Sequence, residues 1–127
     1  MINYNNSVKD VPMQPASMDI WDKKYRLKDK NGVVIDESID DTYKRVALAL
    51  SGIEKTDELR EYWNEQFLWA LRNGAIPAGR ILSNAGAEKY KPSTSLINCL
   101  VSGHIVDSMD DILTKLHESG LSLKGGS

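Results

Sequence analysis

Cysteine is almost missing from this chain of 127 residues, with Cys99 standing alone. One thiol excludes an internal disulfide and any cysteine-rich metal cluster, and makes a reducing, cytoplasmic setting the expected one. No apolar run approaches the roughly 20 residues that cross a bilayer. The N-terminal Met1-Ile2-Asn3-Tyr4-Asn5-Asn6 lacks the basic patch and apolar stretch of a secretion signal. Excess charge of one sign is missing too. Sixteen basic residues stand against 18 acidic ones, net −2, so neither a polyanion-binding field nor a nucleic-acid partner is expected. What is present is enough sequence for one small domain, burying roughly two-thirds of its extended surface. The hydrophobic share of 41% lies slightly below the globular norm, so a core is possible but not generous.

Residues 1–17 are rich in Asn, Ser, Pro and Gln, and Pro12 and Pro15 predict an extended arm rather than a helix, either a loose terminus or an arm that docks on a partner. Asn31-Gly32, between Tyr25–Lys28 and Val33–Ile35, predicts a tight turn and a short hairpin, a polar loop being the alternative. Ser38-Ile39-Asp40-Asp41 resembles a capping box with Asp in place of Glu. Ile39, Tyr43, Val46, Ala47 and Leu50 follow at helical spacing up to Gly52. Leu59, Tyr62, Trp63, Phe67, Ala70 and Leu71 mark a second helix, capped by Thr56 or Asp57 and closed near Gly74, with this face expected in the core.

After Gly74 the texture changes. Residues 75–86 hold a short apolar run bracketed by Pro and Gly. Leu96-Ile97-Asn98-Cys99-Leu100-Val101 is apolar apart from Asn98, which predicts a strand buried on both faces. Ser108-Met109-Asp110-Asp111 offers another capping box, and Met109, Ile112, Leu113 and Leu116 the next helical stripe. Strand then capped helix is the opening of a β-α unit. One strand and one helix cannot complete a parallel sheet, so the chain reads as ending inside a fold. No internal repeat is visible. The organisation is an arm over 1–17, a mainly helical section with a short hairpin over 18–74, and the start of an α/β section over 75–127.

Few residues carry chemistry. Cys99 suits a small buried hydrophobe, but Asn98 beside it is an amide that needs partners or a ligand inside an apolar strand. A redox thiol there needs a second thiol, which this chain does not have. His104 and His117 are thirteen residues apart, with no third ligand at metal spacing, so no metal site is expected. Asp107-Ser108-Met109 marks a helix start, where free N–H groups either are capped by Ser108 or receive an anion. Lys124-Gly125-Gly126-Ser127 reads equally as a phosphate-approaching turn or a linker.

Together, Gly79-Arg80-Ile81-Leu82-Ser83-Asn84-Ala85-Gly86, Ser95–Val101 and Asp107–Ile112 resemble the large, catalytic chain of ribonucleotide reductase. Asp19–Lys28 and Ala70–Gly74 add the flavour of its adenosylcobalamin-dependent (class II) branch, and the likeness runs from about Met13 to Ser127. The resemblance implies an α/β fold: an N-terminal helical section followed by the first strands and helix of a ten-stranded α/β barrel, incomplete in this chain. It implies that Cys99 is one of two cysteines that reduce the ribose and become a disulfide, with the mate outside this chain. Gly79, Arg80, Ser83, Asn98 and Cys99 would border the ribonucleotide substrate, and Asp107, Ser108 and Met109 would hold a deoxynucleotide effector. The implied cofactor is adenosylcobalamin, not bound by this segment alone. The implied partners are the remainder of the reductase chain and a thioredoxin-type reductant, with a dimer open.

The family's radical-bearing cysteine and its glutamate and asparagine partners are not among these residues. Nor are the second reducing cysteine and the C-terminal thiol relay. The expectation is therefore an N-terminal piece of a reductase, inactive alone. The alternative is a non-catalytic nucleotide-binding or assembly module that uses the Asp107–Met109 loop.

Overall fold

The computed structural model of the chain describes residues 13–92, 94–97 and 99–126. The elements are helices: α1 (Pro15–Ile20), α2 (Ile39–Ser51), α3 (Asp57–Arg72), α4 (Gly79–Asn84) and α5 (Met109–Gly125). Pro15 does not exclude a helix but opens one, because a proline at the first helical position has no N–H to lose. The part of the expected arm before Met13 lies outside the described residues. α1 runs into a wide π-helical turn over Trp21–Tyr25, closed by the Arg26 N–H donating to Trp21 O at 2.9 Å. The expected hairpin is reduced to one antiparallel bridge, Lys28 with Val34. It surrounds a turn in which Gly32 takes φ 83° and the Asp29 carboxylate accepts the Asn31 and Val33 N–H groups.

The capping box before α2 forms as the sequence predicts. Asp41 N–H donates to Ser38 Oγ, and the Asp41 carboxylate accepts the Ser38 N–H at 2.9 Å. Aspartate is long enough for the reciprocal bond. Gly52 ends the helix in the right-handed region, so its conformational freedom is not what stops it. Thr56 caps α3, and Gly74 turns the chain away with φ 95°.

α2 and α3 pack along each other, and α4 lies against α2 and the π turn. Val46, Ala47, Leu71 and Ala85 are buried, wrapped by Tyr43, Ala49, Leu50, Phe67, Leu68, Ile81 and Leu82. Only the C-terminal half of the α3 stripe enters this core. Leu59, Tyr62 and Trp63 remain exposed, with Trp63 stacked on Phe67 at 5.6 Å between ring centres. The apolar period fixes a face, but the buried end of α3 is the one where Ile81, Leu82 and Ala85 join the cluster around Leu71.

Beyond Lys91 the expectations fail more widely. Leu96–Val101 forms no strand among its described residues, and Leu96, Ile97, Cys99, Leu100 and Val101 are all exposed; Asn98 lies outside the described residues. An apolar run becomes a strand only when neighbouring strands take its N–H and C=O groups, and none is present among the described residues. The barrel start is therefore not seen among the described residues. α5 does form, with Asp111 N–H donating to Ser108 Oγ. The Asp111 carboxylate, however, takes the Val106 N–H at 2.6 Å instead of closing the box on Ser108. Its stripe, Met109, Ile112, Leu113 and Leu116, is exposed. Lys124 and Gly125 belong to the helix rather than to a loop, and Gly126 caps it with φ 81°.

Candidate functional site

α4 carries three of the expected substrate residues, and its placement is unusually determined. A helix of six residues leaves its last carbonyls unpaired and partly negative. Two cations meet them. The Arg45 guanidinium donates to Leu82 O at 3.0 Å and to Ala85 O, and Lys91 Nζ donates to Ser83 O at 3.2 Å. Burial pushes the Lys91 ammonium below its ordinary range, helped by the positive charge of Arg45.

Arg45 is itself anchored. It pairs with the buried Asp36 carboxylate at 2.8 Å, and that carboxylate also accepts Thr42 Oγ1–H at 2.7 Å and the Leu27 N–H at 3.3 Å. Trp21 Nε1–H donates to Thr42 Oγ1 at 3.0 Å. One hydrogen-bonded chain thus runs from the π turn through the bridge loop and α2 to the end of α4. Gly86 makes room for it. Its φ is 71°, and a Cβ there would stand 2.9 Å from Arg45 Cγ and 3.1 Å from Arg45 O.

The expected site residues are only partly brought together. Gly79 lies against Tyr25, where a Cβ would come within 3.2 Å of the phenol oxygen. The Arg80 guanidinium packs on Gly126, where a Cβ would stand only 2.6 Å from it. Ser83 Oγ bonds Asn84 Oδ1 at 3.1 Å, and Asn84 Nδ2 donates to Ser95 O at 3.0 Å. The Ser95 N–H in turn donates to Gly125 O at 3.3 Å. α4, Ser95 and the C-terminal end of α5 are therefore neighbours, and Cys99, four residues past Ser95, lies within about 14 Å of it along the chain. Cys99 is a free, exposed thiol. Asp107, Ser108 and Met109 are exposed at the opposite end of α5, about 25 Å away along the helix axis.

Beside α4 opens a cleft of about 880 Å³ lined by Trp21, Tyr25, Ile39, Tyr43, Leu71 and Pro77, a size and character common to small-ligand pockets. Asp40 and Arg72 form a two-point pair at its edge, 2.7 and 2.8 Å. Hydrogen bonding from Arg72, and then from Lys44, holds the Asp40 carboxyl down at about 2 despite partial burial. Burial, with the charge of Asp40, pushes the Tyr43 phenol up.

The sequence reading missed Asp36, Thr42, Arg45, Lys91 and this cleft. A signal existed for two of them, since Thr42 and Arg45 interrupt the apolar face of α2 that contains Val46. Polar side chains at core-facing positions must find partners. Among the described residues no group of three His, Cys, Asp or Glu side chains could hold a metal ion, and His104 and His117 are exposed.

The sequence model of one family, described as "Ribonucleotide reductase, all-alpha domain", matches residues 13–90, more than half of the chain and all of the core described above. No curated protein and no solved structure matches.

Proposed function

We infer the role of this chain from one premise: it belongs to the family of the ribonucleotide reductase all-alpha domain, over residues 13–90. The proposal is that it serves as the N-terminal section of a ribonucleotide reductase catalytic chain and works only with the remainder of that chain. The family match carries this reading, because it includes α4 with Gly79, Arg80 and Ser83. Two features support it. Leu100, Val101, Ile105, Met109, Leu116 and Leu123 expose apolar surface of the kind that a neighbouring sheet covers. The thiol of Cys99 is free and accessible.

In the proposed reaction the ribose 2′ C–O bond breaks, the oxygen leaves as water, and a hydrogen takes its place on carbon. Cys99 and a second thiol outside this chain give up two electrons and two protons and become a disulfide. A thioredoxin-type reductant then restores both thiols. Gly79, Arg80, Ser83 and Asn98 border the nucleotide, and Asp107, Ser108 and Met109 bind the deoxynucleotide effector. Adenosylcobalamin as the radical source is part of the proposal, held by the remainder of the chain.

The test combines this chain with the remainder of a reductase catalytic chain and measures deoxynucleotide formation. We expect the wild-type assembly to turn over repeatedly, only with adenosylcobalamin present, and Cys99→Ser to stop multiple turnover. Sustained turnover by Cys99→Ser with a thioredoxin-type reductant removes the cysteine from the mechanism. Deoxynucleotide binding by this chain alone, with no reduction in the assembly, identifies a non-catalytic binding module instead.

A further inference from the structure

We propose that Arg45 is a positioning residue for the nucleotide site: it holds α4, and through α4 the approach to Cys99, in the one placement that faces the substrate. The proposal rests on the reductase reading above. A six-residue helix is too short to hold itself together, so the orientation of Gly79, Arg80 and Ser83 must come from outside it. Arg45 supplies it from two sides of one planar fork. Nε and one terminal nitrogen face Asp36, while the terminal nitrogens also reach Leu82 O and Ala85 O, the carbonyls on either side of Ser83 and Asn84.

A buried ion pair is a poor way to gain stability, since well-packed apolar residues of the same volume do as well or better. What the fork adds is direction, because its donors fix the angle between the carboxylate and the two carbonyls. The constraint continues past α4. Asn84 Nδ2 holds Ser95 O, and Ser95 begins the run that leads to Cys99. Gly86, with no side chain to strike Arg45 Cγ, keeps the fork seated.

Arg45→Lys separates direction from charge, because it keeps a cation beside Asp36 but offers a point charge in place of the fork. In the full chain we expect this variant to exchange the Leu82 and Ala85 amide hydrogens about tenfold faster, while Gly52 and Asn73, at the ends of α2 and α3, keep their rates. In the assembled reductase, KM for CDP or CTP should rise about tenfold, with kcat changing less. Arg45→Met, which also strands the Asp36 charge, should lower the melting temperature as well.

Exchange in Arg45→Lys that is unchanged at Leu82 and Ala85, or that accelerates equally in α2, α3 and α4, overturns the proposal. So does a loosened α4 with an unchanged KM. If the wild-type assembly forms no deoxynucleotide, the reductase reading falls, and the nucleotide part of this proposal with it, while the exchange result still decides whether Arg45 orients α4.

Discussion

Val46, Ala47, Leu71 and Ala85 lie in the first two-thirds of the chain and are buried; Leu100, Val101, Ile105 and Leu116 lie in the last third and are exposed. Both regions have regular apolar spacing, capped helices and turn glycines. The difference is that α2 and α3 are joined by a short loop and close on each other, whereas α5 and the run before it have no such mate among the described residues. Local pattern makes a helix in both regions. Only the first region has the surface needed to hide one, and burial against tertiary neighbours supplies most of a helix's stability.

The contrast can be broken at its strongest point by Asp36→Ala. This leaves the Arg45 charge, Thr42 Oγ1 and the Leu27 N–H without their shared partner in a buried place. A loss of about 3–5 kcal/mol in a denaturant melt is expected, a large part of a small domain's stability. A smaller loss would mean that water reaches the pair. Next, Leu71→Ala should cost about 2–4 kcal/mol and Leu116→Ala less than about 0.5 kcal/mol in the same melt. Equal effects would show that α5 is packed in solution and erase the distinction between the two regions.

Removal of the helix caps sharpens it further. Ser38→Ala should lower global stability by about 1 kcal/mol. Ser108→Ala should reduce α5 helicity, seen as faster exchange at Asp111 and Ile112, without moving the main melt.

The smallest effect is one of pH. Asp40 falls from an ordinary 3.8 to about 2 in the folded chain, so its pairing with Arg72 and Lys44 stabilises the fold above about pH 4 and is lost as pH falls towards 2. Both partners are a third exposed, so solvent screening keeps the contribution small. Asp40→Asn should therefore melt slightly below wild type at pH 7 and together with it near pH 2. A gap that persists at pH 2 would point to packing rather than charge.

Much of the helical part was legible in the sequence, for reasons visible residue by residue. Ser38, Thr56 and Ser108 act as caps because a short oxygen-bearing side chain satisfies a free N–H whatever surrounds it. α4 leaves no periodic signal because Pro77 and Gly79 punctuate a run too short to show one. Leu96–Val101 has the composition of a strand but forms none among its described residues, since strand character depends on partners that composition cannot supply. The candidate substrate residues on α4 were visible as a motif, whereas the Asp36–Arg45 pair that holds them joins residues whose meeting no local pattern reports.

By itself, then, the sequence determined the positions of the caps, the two long core helices and α5, because each depends on contacts within a few residues, and the lone thiol, which is a matter of composition. Tertiary structure alone decided which of those helices are covered, that α4 exists and is held by Arg45 and Lys91, and that the two ends of α5 separate Arg80 from Asp107–Met109. Burial, buried charge and direction are properties of surfaces that meet, and those surfaces come from parts of the chain far apart in sequence.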